Sequence, residues 1–327
     1  MKLIICITIC IRLIESINEE HELNHNSCYN SRIVDGPYSI TYRDCKVGTW
    51  ANELPILKSQ DQSIVAYMRN LFHKNEINPL LSADAVIDNF QRLMALPLQT
   101  VCNVGKWVSL KRWHSECGST DGERYLCMDN FYNDILNKRC IIYSFGISDD
   151  YHFEEEMGSL GCVVYAHDPT VSLPLSPAQN VYFKKVGLGH FKGKLELFTP
   201  NKRSEPLPIT TLKDAISSNG HFGKEITYLK VDIESSEIKA IPEWIQSGVL
   251  ENVRQIGMEL HTGKVFFDRK GQADAAKKLL KFISQLYDLG FRHISYSPNT
   301  CMGKSQDINE QYFTFIDIVL YKPYNLD

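Results

Sequence analysis

Three residues of this sequence stand where an acid or a base could do chemistry: Asp168, Asp232 and His261 each lie at the end of a short apolar, β-branched run. A further run, Ile141 to Phe145, is closed by Gly146. A glycine behind a buried strand lets the backbone come close to a ligand at the sheet edge. Asp168 follows after about 20 positions, the spacing at which a strand-end acid meets the two ribose hydroxyls of a nucleoside. A nicotinamide cofactor would satisfy the same spacing, but the G-x-G-x-x-G pyrophosphate fingerprint is missing. S-adenosylmethionine carries no phosphates and does not need that loop. Asp232 is followed by Glu234 and Glu237, and acids at such a terminus either face a substrate or cap the next helix. His261, beside Glu259, titrates near neutrality and suits a general base or a structural histidine. Asp, Glu and His at strand ends also resemble metal ligands. Their spacing does not define an octahedral magnesium site, so no metal is assigned.

These residues need a sheet with helices between its strands. The runs Ile141–Phe145, Val163–His167, Val181–Val186, Thr227–Ile233, Gln255–Leu260, Phe291–Tyr296 and Phe313–Tyr321 alternate with helical segments. That order predicts βα units and a mainly parallel sheet. Ala276, Leu280, Ile283 and Tyr287 form a helical stripe that stops at Gly290. Upstream, Ile64, Met68 and Leu71 share one helical face, and Val86, Phe90 and Met94 share another behind a capping Ser82. Residues 102–140 are rich in turns and cysteines and are read as a lead-in packed on the following domain, with Trp107, Trp113 and Tyr125 as its packing.

The segment Leu229, Lys230, Val231, Asp232, Ile233, Glu234, Ser235, Ser236, Glu237 resembles the Leu-Lys-x-Asp-x-Glu-Gly-x-Glu mark of the FkbM-type class I methyltransferases. With Asp121, Gly122, Cys127, Met128 and Asp129 upstream, the stretch from Cys140 to Asp168 looks more closely like the animal secretory "methyltransferase-like" proteins. The resemblance covers residues 100–325 approximately. It implies a Rossmann-like α/β fold, a seven-stranded mostly parallel sheet with an antiparallel last strand and helices on both faces, behind a mainly helical N-terminal cap. It also implies S-adenosyl-L-methionine as cofactor. By position, Ser144, Gly146 and Ser148 would hold its methionine part and Asp168 its ribose. Val186 and Gly187 would lie near the adenine, and Asp232 would face the transferring methyl. Ser144 replaces the usual acid before the first glycine, Asp150 a later glycine, and Ser235 the glycine of the Asp-x-Glu-Gly segment. Asp149 or Asp150 is left to supply a carboxylate for the cofactor's amino group.

The division expected is a signal peptide or signal anchor over 1–16, an extension and cap over 17–135, and a methyltransferase domain over 136–327. Met1 and Lys2 precede the apolar run Leu3 to Ile11, which resembles a secretory signal, although Arg12 follows it directly. Beyond that segment stand Cys28, Cys45, Cys102, Cys117, Cys127, Cys140, Cys162 and Cys301, an even number that suits disulfides in a secreted or secretory-lumen protein. Cys162, next to a predicted strand, also suits a buried thiol. Hydrophobic residues make up 43% of the 327 residues, enough for a sizeable core, and the net charge of −4 gives no basic face for nucleic acid. The resemblance implies methyl transfer to oxygen, ahead of nitrogen, of a secretory-pathway acceptor, a small molecule or a glycan. The competing reading is a secreted, non-catalytic protein that keeps the fold as a scaffold.

Overall fold

A computed structural model describes two short strands at Ser31–Arg32 and Thr41–Tyr42, residues 81–94, most of 102–171, and residues 179–196, 205–262, 268–298 and 315–322. The expected signal segment, the helix carrying Ile64 to Leu71, and Cys28, Cys45, Cys117 and Cys301 lie outside the described residues.

In chain order the main elements are helix α1 (Ala83–Met94), a hairpin of β1 (Gly105–Val108) and β2 (Arg124–Cys127), α2 (Phe131–Leu136), β3 (Ile141–Phe145), α3 (His152–Ser159) and β4 (Val163–His167). Then come β5 (Val181–Lys184), β6 (Gly187–Leu188), β7 (Gly193–Leu195), β8 (Leu207–Thr210), α4 (Leu212–Ser218), β9 (Tyr228–Val231) and α5 (Glu237–Gln246). The chain closes with β10 (Gln255–His261), α6 (Arg269–Asp288), β11 (Arg292–Pro298) and β12 (Phe315–Tyr321). All seven runs read as strands enter one sheet, in the order β11-β12-β10-β9-β3-β4-β5. β3, β4, β5, β9 and β10 run parallel, and β12 lies antiparallel between β10 and β11. This is the Rossmann-like α/β arrangement.

Alternation along the strands sorts the core into two layers. Tyr143, Phe145, Leu229, Val231, Ile256 and Met258 face α1, α4, α5 and α6. Ile142, Val164, Tyr228, Val319 and Tyr321 face the hairpin, α2 and α3. The Val86, Phe90 and Met94 stripe is buried, and the Ser82 hydroxyl accepts from the Ala85 amide at 3.2 Å, as a cap should. After α6, Gly290 takes φ +90° and its amide bonds the Tyr287 carbonyl, which ends the helix. The described part of the cap contains the hairpin and a second short strand pair (Trp113–His114 with Ser119–Thr120) besides α1 and α2.

Among the described residues, two disulfides brace this frame. Cys140–Cys162 joins the starts of the parallel neighbours β3 and β4, so Cys162 is paired rather than free. Cys102–Cys127 ties the segment before the hairpin to the end of β2.

His293 in β11 and His167 at the end of β4 are both buried, and burial holds each near a pKa of about 4, with Lys184 adding to the effect at His167. The unfolded chain then takes up these protons first, from about pH 6.5. Stability from this source is complete above that value and falls as pH drops toward 4, by up to about 3 kcal/mol per histidine. Urea unfolding at a series of pH values should show the loss, and His293→Leu should reduce it; an unchanged pH profile in the variant would rule out His293 as a source.

Candidate functional site at the carboxyl edge of the sheet

The chain leaves β3 toward β4 and β5 on one side and returns to β9 on the other. The carboxyl ends of β3 and β9 therefore flank the switch point, where open α/β sheets bind ligands. Gly146 follows β3 with φ +80°, and a Cβ there would overlap the Asp232 carbonyl oxygen. The Gly146 amide bonds the His167 carbonyl and the Asp232 amide bonds the Phe145 carbonyl, so the ends of β3, β4 and β9 are tied together at this point.

Asp168 lies beside that turn, and its carboxylate organises it. Oδ2 accepts from the amides of Ile147 (2.9 Å) and Ser148 (3.0 Å), and Oδ1 accepts from the amide (2.7 Å) and hydroxyl (2.6 Å) of Thr170. Burial works to raise its pKa, but the Thr170 hydroxyl and the three amides outweigh burial and hold it below the ordinary value. Both carboxylate oxygens are thus already engaged within the protein. Ser148 is left-handed, with φ +55°. Val186 and Gly187 follow β5, and Gly187 packs against Pro169.

Ser144 points the other way. Its hydroxyl is fully buried and donates to Glu154 Oε1 of α3 at 2.5 Å. Lys230 of β9 donates to the same oxygen at 3.3 Å and to the Gly146 carbonyl at 3.1 Å. A buried Ser144–Glu154–Lys230 network therefore lies under the glycine turn. Only the sequence order Tyr228, Leu229, Lys230, Val231 hinted at it, since a lysine inside a buried strand requires a partner. Asp150 accepts from the His152 amide at 3.0 Å at the start of α3, and Asp149 is outside the described residues.

Asp232 and His261 come together at the ends of β9 and β10. His261 Nε2 lies 3.6 Å from Asp232 Oδ1, 3.6 Å from Glu234 Oε2 and 4.0 Å from Glu259 Oε2. On its other side, Nδ1 is 3.2 Å from Glu237 Oε1, which also accepts the His261 amide at 2.9 Å. Burial opposes a charge on this ring, yet Glu237, Asp232 and Glu259 raise its pKa to about 10. At neutral pH, without other cations, it is an imidazolium and not a free base. Asp232 is lowered, because His261, Arg124 and Lys230 outweigh its desolvation. Arg124, which the sequence reading passed over, reaches Asp232 Oδ2 at 3.2 Å from β2 of the hairpin, with its own side chain buried. No spacing or periodicity links Arg124 to Asp232; only the folded hairpin does.

A glycine turn at the switch point, with acids on the adjoining strand ends, belongs to the Rossmann-like class of α/β proteins. Within that class, the sequence family described as "Methyltransferase domain" matches residues 108–312, more than half of the chain. The chain belongs to this family. It is 29% identical over 169 residues to "Probable methyltransferase-like protein 24" of Homo sapiens, covering 49% of this chain and 45% of that protein. To the Rattus norvegicus protein of the same name it is 31% identical over 143 residues, covering 42% of this chain and 38% of that protein. The chain thus spans less than half the length of the curated relatives it matches.

The Glu154–Lys230 pair generates a stability prediction. Glu154→Met or Lys230→Met alone strands a buried charge and should cost about 3–5 kcal/mol. The Glu154→Met/Lys230→Met double variant should cost less than either single change. Urea denaturation of the four proteins measures this, and additive losses in the double variant would show the two residues act independently.

Proposed function

We propose that this protein is an S-adenosylmethionine-dependent methyltransferase that acts on an oxygen of a small-molecule or glycan acceptor in the lumen of the secretory pathway. The observation that carries the reading is the junction of Gly146, Asp168 and Asp232 at the switch point. S-adenosylmethionine supplies an electrophilic methyl group on a sulfonium. The residues here fit it in outline: the Gly146–Ser148 turn would receive the methionine part through its backbone, and Val186 and Gly187 would border the adenine. Asp168 would exchange its Thr170 hydroxyl for a ribose hydroxyl. The buried Ser144 would act through Glu154 and the turn above it. The Asp232 carboxylate, held by Arg124 and oriented by His261, would hold an acceptor hydroxyl and take its proton as the oxygen gains the methyl.

The two disulfides and the even cysteine number support secretion, with residues 1–16 as its signal or anchor, 17–135 as extension and cap, and 136–327 as the catalytic domain. Among the described residues no helix is long and apolar enough to cross a membrane. One observation favours a second reading, the non-catalytic scaffold: both oxygens of Asp168 are already used inside the protein.

Calorimetry with S-adenosylmethionine, its demethylated product and NAD separates these readings. The first two should bind and NAD should not. Asp168→Ala should weaken the demethylated product by about 1.5–3 kcal/mol, roughly tenfold to a hundredfold. Asp232→Asn should cut transfer of labelled methyl into a secretory extract far more than it cuts cofactor affinity. Binding without labelling in any fraction favours the scaffold, and absence of binding removes the catalytic reading.

A further inference from the structure

We propose that Asp232, Glu234 and His261 form a divalent-cation site at the mouth of the crevice. One donor atom from each, with all three lying within 4.8 Å of one another, is brought together by the ends of β9 and β10. Nε2 of His261 stands 3.6 Å from both Asp232 Oδ1 and Glu234 Oε2. Neighbouring ligands around an ion bonded at about 2.0–2.2 Å lie roughly 3–3.5 Å apart, so modest side-chain rotation closes the set. The Glu234 side chain is 71% exposed, which gives an ion its entry.

A second observation concerns the far side of the imidazole. Glu237 is fully buried, and its Oε1 holds His261 at Nδ1 and at the backbone amide. Its Oε2 is buried with no hydrogen-bond partner. A carboxylate on Nδ1 fixes ring orientation and presents Nε2 outward, the arrangement that orients metal-ligating histidines. It is a costly feature for a histidine with a purely structural role, since Glu237 brings a further buried charge.

The charges around the ring point the same way. Asp232, Glu234, Glu237 and Glu259 surround His261, and the Asp232 and Glu259 carboxylates also face each other. The cations that reach Asp232 besides His261 are Arg124 and Lys230, and Lys230 is engaged by Glu154. A divalent ion bound between Asp232, Glu234 and His261 would take the place of the proton on His261 Nε2 and complement the carboxylates around it.

The mixed nitrogen and oxygen donors suit Mn2+, Fe2+ or Zn2+ better than Ca2+. Ion binding stands independently of methyl transfer. Only the ion's role, polarising an acceptor oxygen beside Asp232, rests on the function proposed above.

The test is electron paramagnetic resonance of Mn2+ titrated into the full chain after chelator treatment, with Zn2+ and Ca2+ as competitors. The expected result is one bound Mn2+ per chain, displaced by Zn2+ far more readily than by Ca2+. Glu234→Gln, at an exposed side chain, should weaken Mn2+ roughly tenfold or more with an unchanged circular dichroism spectrum. His261→Gln should abolish binding. If His261→Gln fails to fold, Glu234→Gln decides alone. Absence of bound Mn2+ in the wild type, equal affinity in Glu234→Gln, or displacement by Ca2+ as readily as by Zn2+ would overturn the site. Because the readout is the ion and not the cofactor, this result and the cofactor titration can fail separately.

Discussion

The structure turns on the close approach between the Gly146 turn and the Asp232 carbonyl. Any side chain at position 146 would collide with that carbonyl, so the ends of β3 and β9 could not sit side by side. Their adjacency lets the Lys230 ammonium reach the Gly146 carbonyl and the Glu154 carboxylate beneath it. It also places the Asp232 side chain on the same edge as the Asp168 carboxylate two strands away. A steric constraint at one residue thus fixes the relation between the Asp168 and Asp232 carboxylates.

The second requirement is met from outside the sheet. Arg124 belongs to the hairpin that precedes the parallel strands, and contacts with the sheet and a disulfide help hold that hairpin in place. The Gln255 side chain clasps both backbone groups of Cys127, at 2.9 and 2.7 Å, as a neighbouring strand would. The Tyr228 hydroxyl donates to the Tyr125 carbonyl, and Cys102–Cys127 closes a 25-residue separation. A cross-link over a loop of that size contributes about 3 kcal/mol. The disulfide thus steadies the strand that carries the arginine facing Asp232.

The sheet was legible because buried parallel strands write themselves as continuous apolar runs, and all seven runs from Ile141 to Tyr321 took their places. The Ser82 cap and the Gly290 stop were legible because each rests on a local backbone need. Side-chain direction was harder. Ser144 lies two residues before Gly146 in a strand whose faces alternate, and its hydroxyl turned to α3 instead of to the edge. Arg124 and Glu154 join the site only through contacts across long stretches of chain, which leave no periodic trace. Asp168 was placed correctly at a strand end, yet its hydrogen bonds to Ile147, Ser148 and Thr170 depend on loop geometry that spacing does not encode.

Ser148, and Ser235 at the place of a family glycine, stand at informative turns. Ser148 and Ser235 are both left-handed, at φ +55° and +69°, and Glu234 between Asp232 and Ser235 is also left-handed at +53°. Such conformations cost a non-glycine residue about 1–2 kcal/mol each and persist only where surrounding contacts over-determine them. At Ser148 the contact is its amide on the Asp168 carboxylate. The Glu234 carboxylate lies 3.6 Å from the His261 ring. In the Ser148 turn a hydrogen bond to a carboxylate does what glycine does by permissiveness elsewhere. A turn held by charge responds to whatever else competes for that charge. The Asp168 carboxylate that holds the Ser148 turn is the group a ribose would engage under the proposed function, and ligand binding there would be coupled to loop conformation through shared atoms.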